Sequence, residues 1–187
     1  MQPASPAGST VGPTANEVAL VDWVRRLASV AQQAVLPSGW RYPNVPAFLA
    51  AHGRLFRPTA EPVPSDRRGR VGECWFNAAT YADRNGVVYV EGWATEVFGW
   101  EIPHAWCASG EEAVEPTSGW EGDFVYLGVP FADEFRRSVH RRNGVGSLLW
   151  EFAAAKDLLE FGPPAGAVVP DVGRPLPPIE PGAPVVR

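Results

Sequence analysis

Cys74, His104 and Glu115 are the residues of this 187-residue chain whose types and spacing suit joint chemistry. A thiol nucleophile needs a lowered pKa, an imidazole beside it, and a group that holds the imidazole. Cys74 follows Val71-Gly72-Glu73 and opens a run read as a helix from Cys74 to Asp83. A helix N-terminus favours an anion, which predicts a lowered thiol pKa, and its unpaired N–H groups suit an oxyanion. The ordinary alternative for a free cysteine is a small buried hydrophobe. His104 falls in a predicted strand, and Ser109-Gly110 reads as the two-residue turn that follows it. With those two as the loop, Ala108 pairs with Glu111 and His104 stands opposite Glu115. Their Cβ atoms would then be about 5 Å apart, so that the carboxylate reaches Nδ1 of the ring and orients it, as in a triad. A slip of one residue would put the two side chains on opposite faces. Parity also separates the cysteines: His104 and Trp106 share one face of the strand, Ala105 and Cys107 the other. Cys74 is thus the candidate nucleophile and Cys107 a core thiol.

Four further residues are candidates for substrate contact. Glu91 lies in the apolar strand pattern Val87-Val88-Tyr89-Val90-Glu91-Gly92-Trp93, on the face of Tyr89 and Trp93. It reads either as a carboxylate facing a cleft or as one facing solvent. Asn77 sits a turn beyond Cys74, where it would approach the thiol or fix a loop. Trp106 would share the face of His104 and shield it from water. Trp120, with Tyr126, would line a groove; core packing is the alternative for each of these aromatics. The basic run Arg136-Arg137-Ser138-Val139-His140-Arg141-Arg142 reads as a solvated helix face.

Composition narrows the classes. The net charge of −5 argues against bulk nucleic-acid binding, which needs a basic footprint. No apolar run approaches the ~20 residues of a transmembrane helix, and the first residues lack the basic and apolar regions of a secretory leader. A cytoplasmic location is expected. Two Cys and three His make neither a disulfide scaffold nor a visible metal cluster. No Walker loop, dinucleotide fingerprint, metalloprotease helix or Gly-x-Ser-x-Gly elbow occurs, so no cofactor or metal is expected.

The elements that must position these residues follow from periodicity and punctuation. Residues 1–15 read as a disordered tail. Asn16 is placed to cap a helix running to Val35, with Leu20, Trp23, Val24 and Leu27 at helical spacing. Asn44-Val45-Pro46 opens a second helix that stops at Gly53. Residues 57–72 read as an irregular approach to Cys74. Strands are expected at Val87–Ala94, from Trp100 or Glu101 to Ala108, at Glu112–Pro116 and at Phe124–Val129. Helices are expected at Phe131–His140 and Leu148–Phe161. Residues 163–187 hold eight Pro and read as a Pro-rich tail, which leaves a single domain over 16–162. The class is α+β: N-terminal helices and a Cys-bearing helix packed on a small antiparallel sheet.

A Cys at the head of a helix, then His104-Ala105-Trp106 in a strand, then Glu115-Pro116-Thr117 resembles the transglutaminase-like branch of the papain-like cysteine enzymes. The resemblance covers about residues 70–130. It implies a core of that kind and a hydrolase or acyltransferase acting on an amide or peptide bond through a thioester. Cys74 would be the nucleophile, His104 the base and Glu115 the third member, and the substrate a protein or peptide. The family usually carries Asp where this chain has Glu115. Papain-type members also place a Gln upstream of the nucleophile; no Gln lies between Gln33 and Cys74. Deamidation of one dedicated protein would use the same residues. The alternative is a catalytically silent domain of this fold that binds a protein partner.

Overall fold

The computed structural model of the protein describes residues 12–30, 39–96, 100–120 and 122–178. The class is α+β. Among the described residues five α-helices surround a sheet that closes into a five-stranded barrel.

Helix α1 (Ala15–Val30) starts one residue before the expected cap. Thr14 caps it instead: its Oγ1 accepts from the Glu17 N–H, and Glu17 Oε2 accepts from the Thr14 N–H. Ser/Thr and Glu three apart satisfy two orphan donors reciprocally, which a lone Asn16 does not. The expected continuation from 31 to 35 lies outside the described residues, as does most of the expected N-terminal tail. Helix α2 (Val45–His52) is capped by Asn44, whose side chain accepts from the Ala47 N–H at 2.8 Å. Helix α3 (Cys74–Asn85) ends at Gly86, in the left-handed region at φ 66°. Helices α4 (Asp133–Asn143) and α5 (Phe152–Phe161) close the chain's second half. The basic run on α4 is not a solvated face throughout. Arg136 is buried against Asp83 and Asp133, and the His140 ring turns in to meet Tyr89 edge-on.

The strands are β1 (Arg54–Pro58), β2 (Val88–Glu96), β3 (Ile102–Ser109), β4 (Glu112–Val114), β5 (Phe124–Phe131) and β6 (Arg174–Pro175). They run in the order β4-β3-β2-β5-β1-β6. The expected small antiparallel sheet is therefore larger, and β1 closes it by pairing parallel with β4, Arg57 opposite Glu112. Strand β1 occupies residues 54–58, so it takes in the first two residues of the stretch 57–72 read as irregular and three before it that carry no expected element.

Closure gives the sheet an inner and an outer face. Outward side chains, among them Tyr89, Trp93, Ala105, Cys107, Leu127 and Val129, pack against all five helices. Inward ones, Phe56, Val90, Ala94, Trp106, Ala108, Ala113, Phe124 and Tyr126, fill the barrel. Gly92 pairs with Gly128 at the tightest point. A Cβ on Gly128 would stand 2.6 Å from the Trp106 ring and 2.7 Å from the Glu91 carbonyl oxygen, so that position must lack a side chain.

The chain beyond residue 162, read as a tail, stays on the domain as far as Pro178. The Val169 N–H donates to Pro130 O, and β6 pairs with β1. The Arg174 guanidinium meets the Glu17 carboxylate, with both side chains buried. Among the described residues no helix is long and apolar enough to cross a membrane.

Candidate functional site

His104 and Glu115 meet, by a different register from the one the turn suggested. The loop residues are Gly110 and Glu111: Ser109 pairs with Glu112, Ala108 with Ala113 and Cys107 with Val114. Gly110 takes φ 60°, and no described non-glycine residue has a positive φ. Gly alone at the first loop position is the type II′ pattern. Continued, this register would place Thr117 opposite His104. Because the displacement is even, the face is preserved. Glu115, just past the end of β4, still reaches the ring, with Oε2 2.7 Å from Nε2 rather than from Nδ1.

The carboxylate is held on its other side as well. Glu115 Oε1 accepts from the Thr117 N–H at 2.8 Å. Thr117 is fully buried and bridges to Gly69, whose N–H donates to Pro116 O and whose carbonyl accepts from the Ser118 N–H. The Asn77 amide donates to Arg70 O and Thr117 Oγ1. Asn77 therefore fastens residues 69–70 to the loop bearing Glu115. A Cβ on Gly69 would lie 1.9 Å from Asn77 Oδ1, so the two are pressed together. The His104 ring stacks on Trp120 with centroids 3.6 Å apart and lies 6.2 Å from Trp106. Trp106 is fully buried and forms the barrel-side wall behind the imidazole. His104 is 1% exposed, and Nδ1 makes no hydrogen bond among the described residues.

Cys74 is the first residue of α3 and belongs to neither apolar cluster, although it is buried. The backbone amides of Ala105 and Trp75 face its sulfur. The thiol thus lies alongside the peptide that joins His104 to Ala105. It makes no hydrogen bond to the His104 ring among the described residues. The expected low pKa is not what this environment gives. Burial pushes the thiol up to about 11; the two amides oppose the shift, and the carboxylates of Glu91 and Glu115 add to it. A helix N-terminus lowers a thiol pKa only when desolvation does not outweigh it. Cys74 rests as a neutral thiol. Cys107 is fully buried, donates to Ala78 O at 3.2 Å, and is pushed up further by the same cause.

Glu91 faces outward with Tyr89 and Trp93, as its parity requires, and is fully buried. It faces neither cleft nor solvent. Four donors hold it: Tyr89 Oη, Ser147 Oγ at 2.8 Å, Leu148 N–H at 2.7 Å and Leu149 N–H at 3.1 Å. It fastens the segment before α5 to the barrel, and burial raises its pKa to about 7. The 147–149 clamp has no signature in the sequence, because its donors are mostly backbone.

Two clefts flank the His104–Glu115 pair. One, of about 530 Å³, has a mixed lining and lies along α3 between Asp66, Arg67, Phe76, Tyr81, Arg84 and Pro116. The other, of about 350 Å³, is bounded by Glu96, Trp100, Ile102, Gly119, Trp120 and Phe124. Of the residues that line the two clefts, the sequence points to Asn77 in the first and Trp120 in the second as candidates for substrate contact, and to Pro116 as part of the Glu115 motif. Trp100 and Ile102 gave no signal, since exposure cannot be read from an apolar strand end. Among the described residues no cluster of three or more His, Cys, Asp or Glu could hold a metal ion. Compared with protein-family models, with curated proteins and with solved structures, the chain matches none.

Proposed function

We propose that the protein is a cysteine-nucleophile enzyme that cleaves or transfers an acyl group from an amide or peptide bond, with Cys74, His104 and Glu115 as its triad. The observation that carries this reading is the placement of the Cys74 sulfur against the His104–Ala105 peptide while Glu115 holds His104 Nε2 at 2.7 Å. A structural His–Glu pair needs no thiol packed on the peptide that follows its histidine. Glu115 fixes the ring so that Nδ1 carries the free lone pair, and this nitrogen is the base. The resting thiol is neutral, so its proton leaves during attack. Cys74 Sγ–H gives its proton to His104 Nδ1 as sulfur bonds to the carbonyl carbon. The N–H groups of the first turn of α3 hold the oxyanion. The C–N bond then breaks, and the leaving amine takes the proton from His104. Water, or an acceptor amine, adds to the thioester and restores the thiol.

Acylation by p-nitrophenyl acetate, read by mass spectrometry of the intact protein and its peptides, tests this. Acetyl on Cys74 is expected in wild type. It should fall by about 10²-fold or more in His104→Ala, the usual contribution of a general base, and be absent in Cys74→Ala. Equal acetylation of Cys74 with and without His104 would overturn the proposal. The second reading, a silent binding domain, is favoured by one observation, the raised pKa of Cys74, and would then lead.

A further inference from the structure

The 350 Å³ groove beside His104 is built unlike the rest of the surface. Trp100, two residues before β3, is 86% exposed, and Ile102, the first residue of β3, 45%. With Trp120 and Phe124 they make apolar walls, and Glu96 is the one charged residue among the described residues that line it. An exposed apolar surface of this kind marks a binding site more often than chance. Its floor is shared with the candidate site: the Trp120 ring that bounds the groove is the ring stacked 3.6 Å from His104. Phe124 packs on Trp120 at 4.8 Å. At Gly119 the groove borders the segment that leads to Cys74. A Cβ on Gly119 would lie 3.3 Å from Val71 Cγ2, and Val71, 70% exposed, is three residues before Cys74.

We infer that this groove is the subsite for the substrate's acyl side, and that it takes a neutral aromatic or large aliphatic side chain next to the bond to be cleaved. The inference rests on the triad reading above for its orientation. Size fits: the groove has roughly twice the ~150 Å³ that encloses a benzene ring. Stacking on Trp120 and edge contact with Trp100 favour an aromatic ring over an aliphatic one of equal area. The Glu96 carboxylate at the rim repels an acidic side chain. Because Trp120 touches both the ligand and the imidazole, a side chain seated there also fixes the distance from the carbonyl to His104. Filling the groove therefore raises kcat as well as lowering KM.

The test separates binding from chemistry. In Cys74→Ala, which binds without turnover, N-acetyl-phenylalaninamide is titrated while the indole N–H signals of Trp100 and Trp120 are followed by NMR. Both signals should move with this amide and stay still with N-acetylglycinamide. Trp100→Ala should weaken binding by about tenfold, the scale of a lost apolar contact in a pocket, while Phe161→Ala, an exposed apolar residue elsewhere, should not change it. In wild type, the p-nitrophenyl ester of phenylpropionate should acylate Cys74 faster than the acetate, and Trp100→Ala should drive that ratio towards one. Indole shifts without any acylation of Cys74 would uphold the groove and sink the triad. Acylation with no preference for the aromatic ester and no indole shift would uphold the triad and sink the groove.

Discussion

At the scale of single residues, the same burial that stabilises the barrel sets the ionisation of the groups around it. Glu91 is the clearest case. Its pKa is raised to about 7 from an ordinary 4.5, so the folded state holds this proton more tightly than the unfolded chain does. Its contribution to stability is therefore full below about pH 4.5 and is lost as the pH rises through about 7. Glu91→Gln removes the titration but keeps the shape. Urea unfolding of both proteins from about pH 5 to about pH 8 should show the wild-type advantage over Glu91→Gln shrinking by up to ~3 kcal/mol. A constant difference would mean that the four donors keep Glu91 charged throughout. Sequence parity placed Glu91 beside Tyr89, and His104 on the face of Glu115, because alternation along a strand is a local property. It could not tell that Glu91 would be clamped by Ser147, Leu148 and Leu149, more than fifty residues away. For the same reason the helix-terminus argument gave Cys74 a low pKa: the macrodipole is written in the local sequence, and desolvation is not.

At the scale of elements, turns and close approaches carry the site. The hairpin after β3 uses Gly110, and the even displacement of its register is why His104 and Glu115 still meet. Where the chain must bend around Trp106, glycine is required by space rather than by dihedral angle. Gly128→Ala should cost at least about 2 kcal/mol, as overpacking against a rigid ring and a backbone carbonyl does, measured by denaturant unfolding. A loss under about 0.5 kcal/mol would show that the barrel wall gives way there. Strands β1 and β6 were missed for identifiable reasons. Arg54-Leu55-Phe56-Arg57-Pro58 shows no clean alternation and ends in Pro. Arg174-Pro175 sits among prolines, yet an edge strand two residues long tolerates one. Helix α2 is legible from its Asn44 cap and Gly53 stop, and α3 from the Gly86 stop at its end, because such signals lie within a turn of the helix.

At the scale of the whole molecule, the first helix and the last strand hold each other through Glu17 and Arg174. Both are buried, and Arg25 reaches the same segment at Pro177 O. Removing one partner of such a pair strands the other. Arg174→Met should lower stability by about 3–5 kcal/mol, and adding Glu17→Gln should recover part of that loss. If the single variant unfolds at the wild-type midpoint, the pair lies outside the cooperative unit.

That pairing also orders events during synthesis. The two residues are separated by 157 positions. On the ribosome, Glu17 is translated about 8–30 s before Arg174, at ordinary elongation rates. Throughout that interval the nascent chain lacks the guanidinium against which the finished fold buries the Glu17 carboxylate. Helix α1 can already lay Leu20, Val21 and Val24 against α2 and β5 in that interval; what waits for the last described strand is the partner for Glu17.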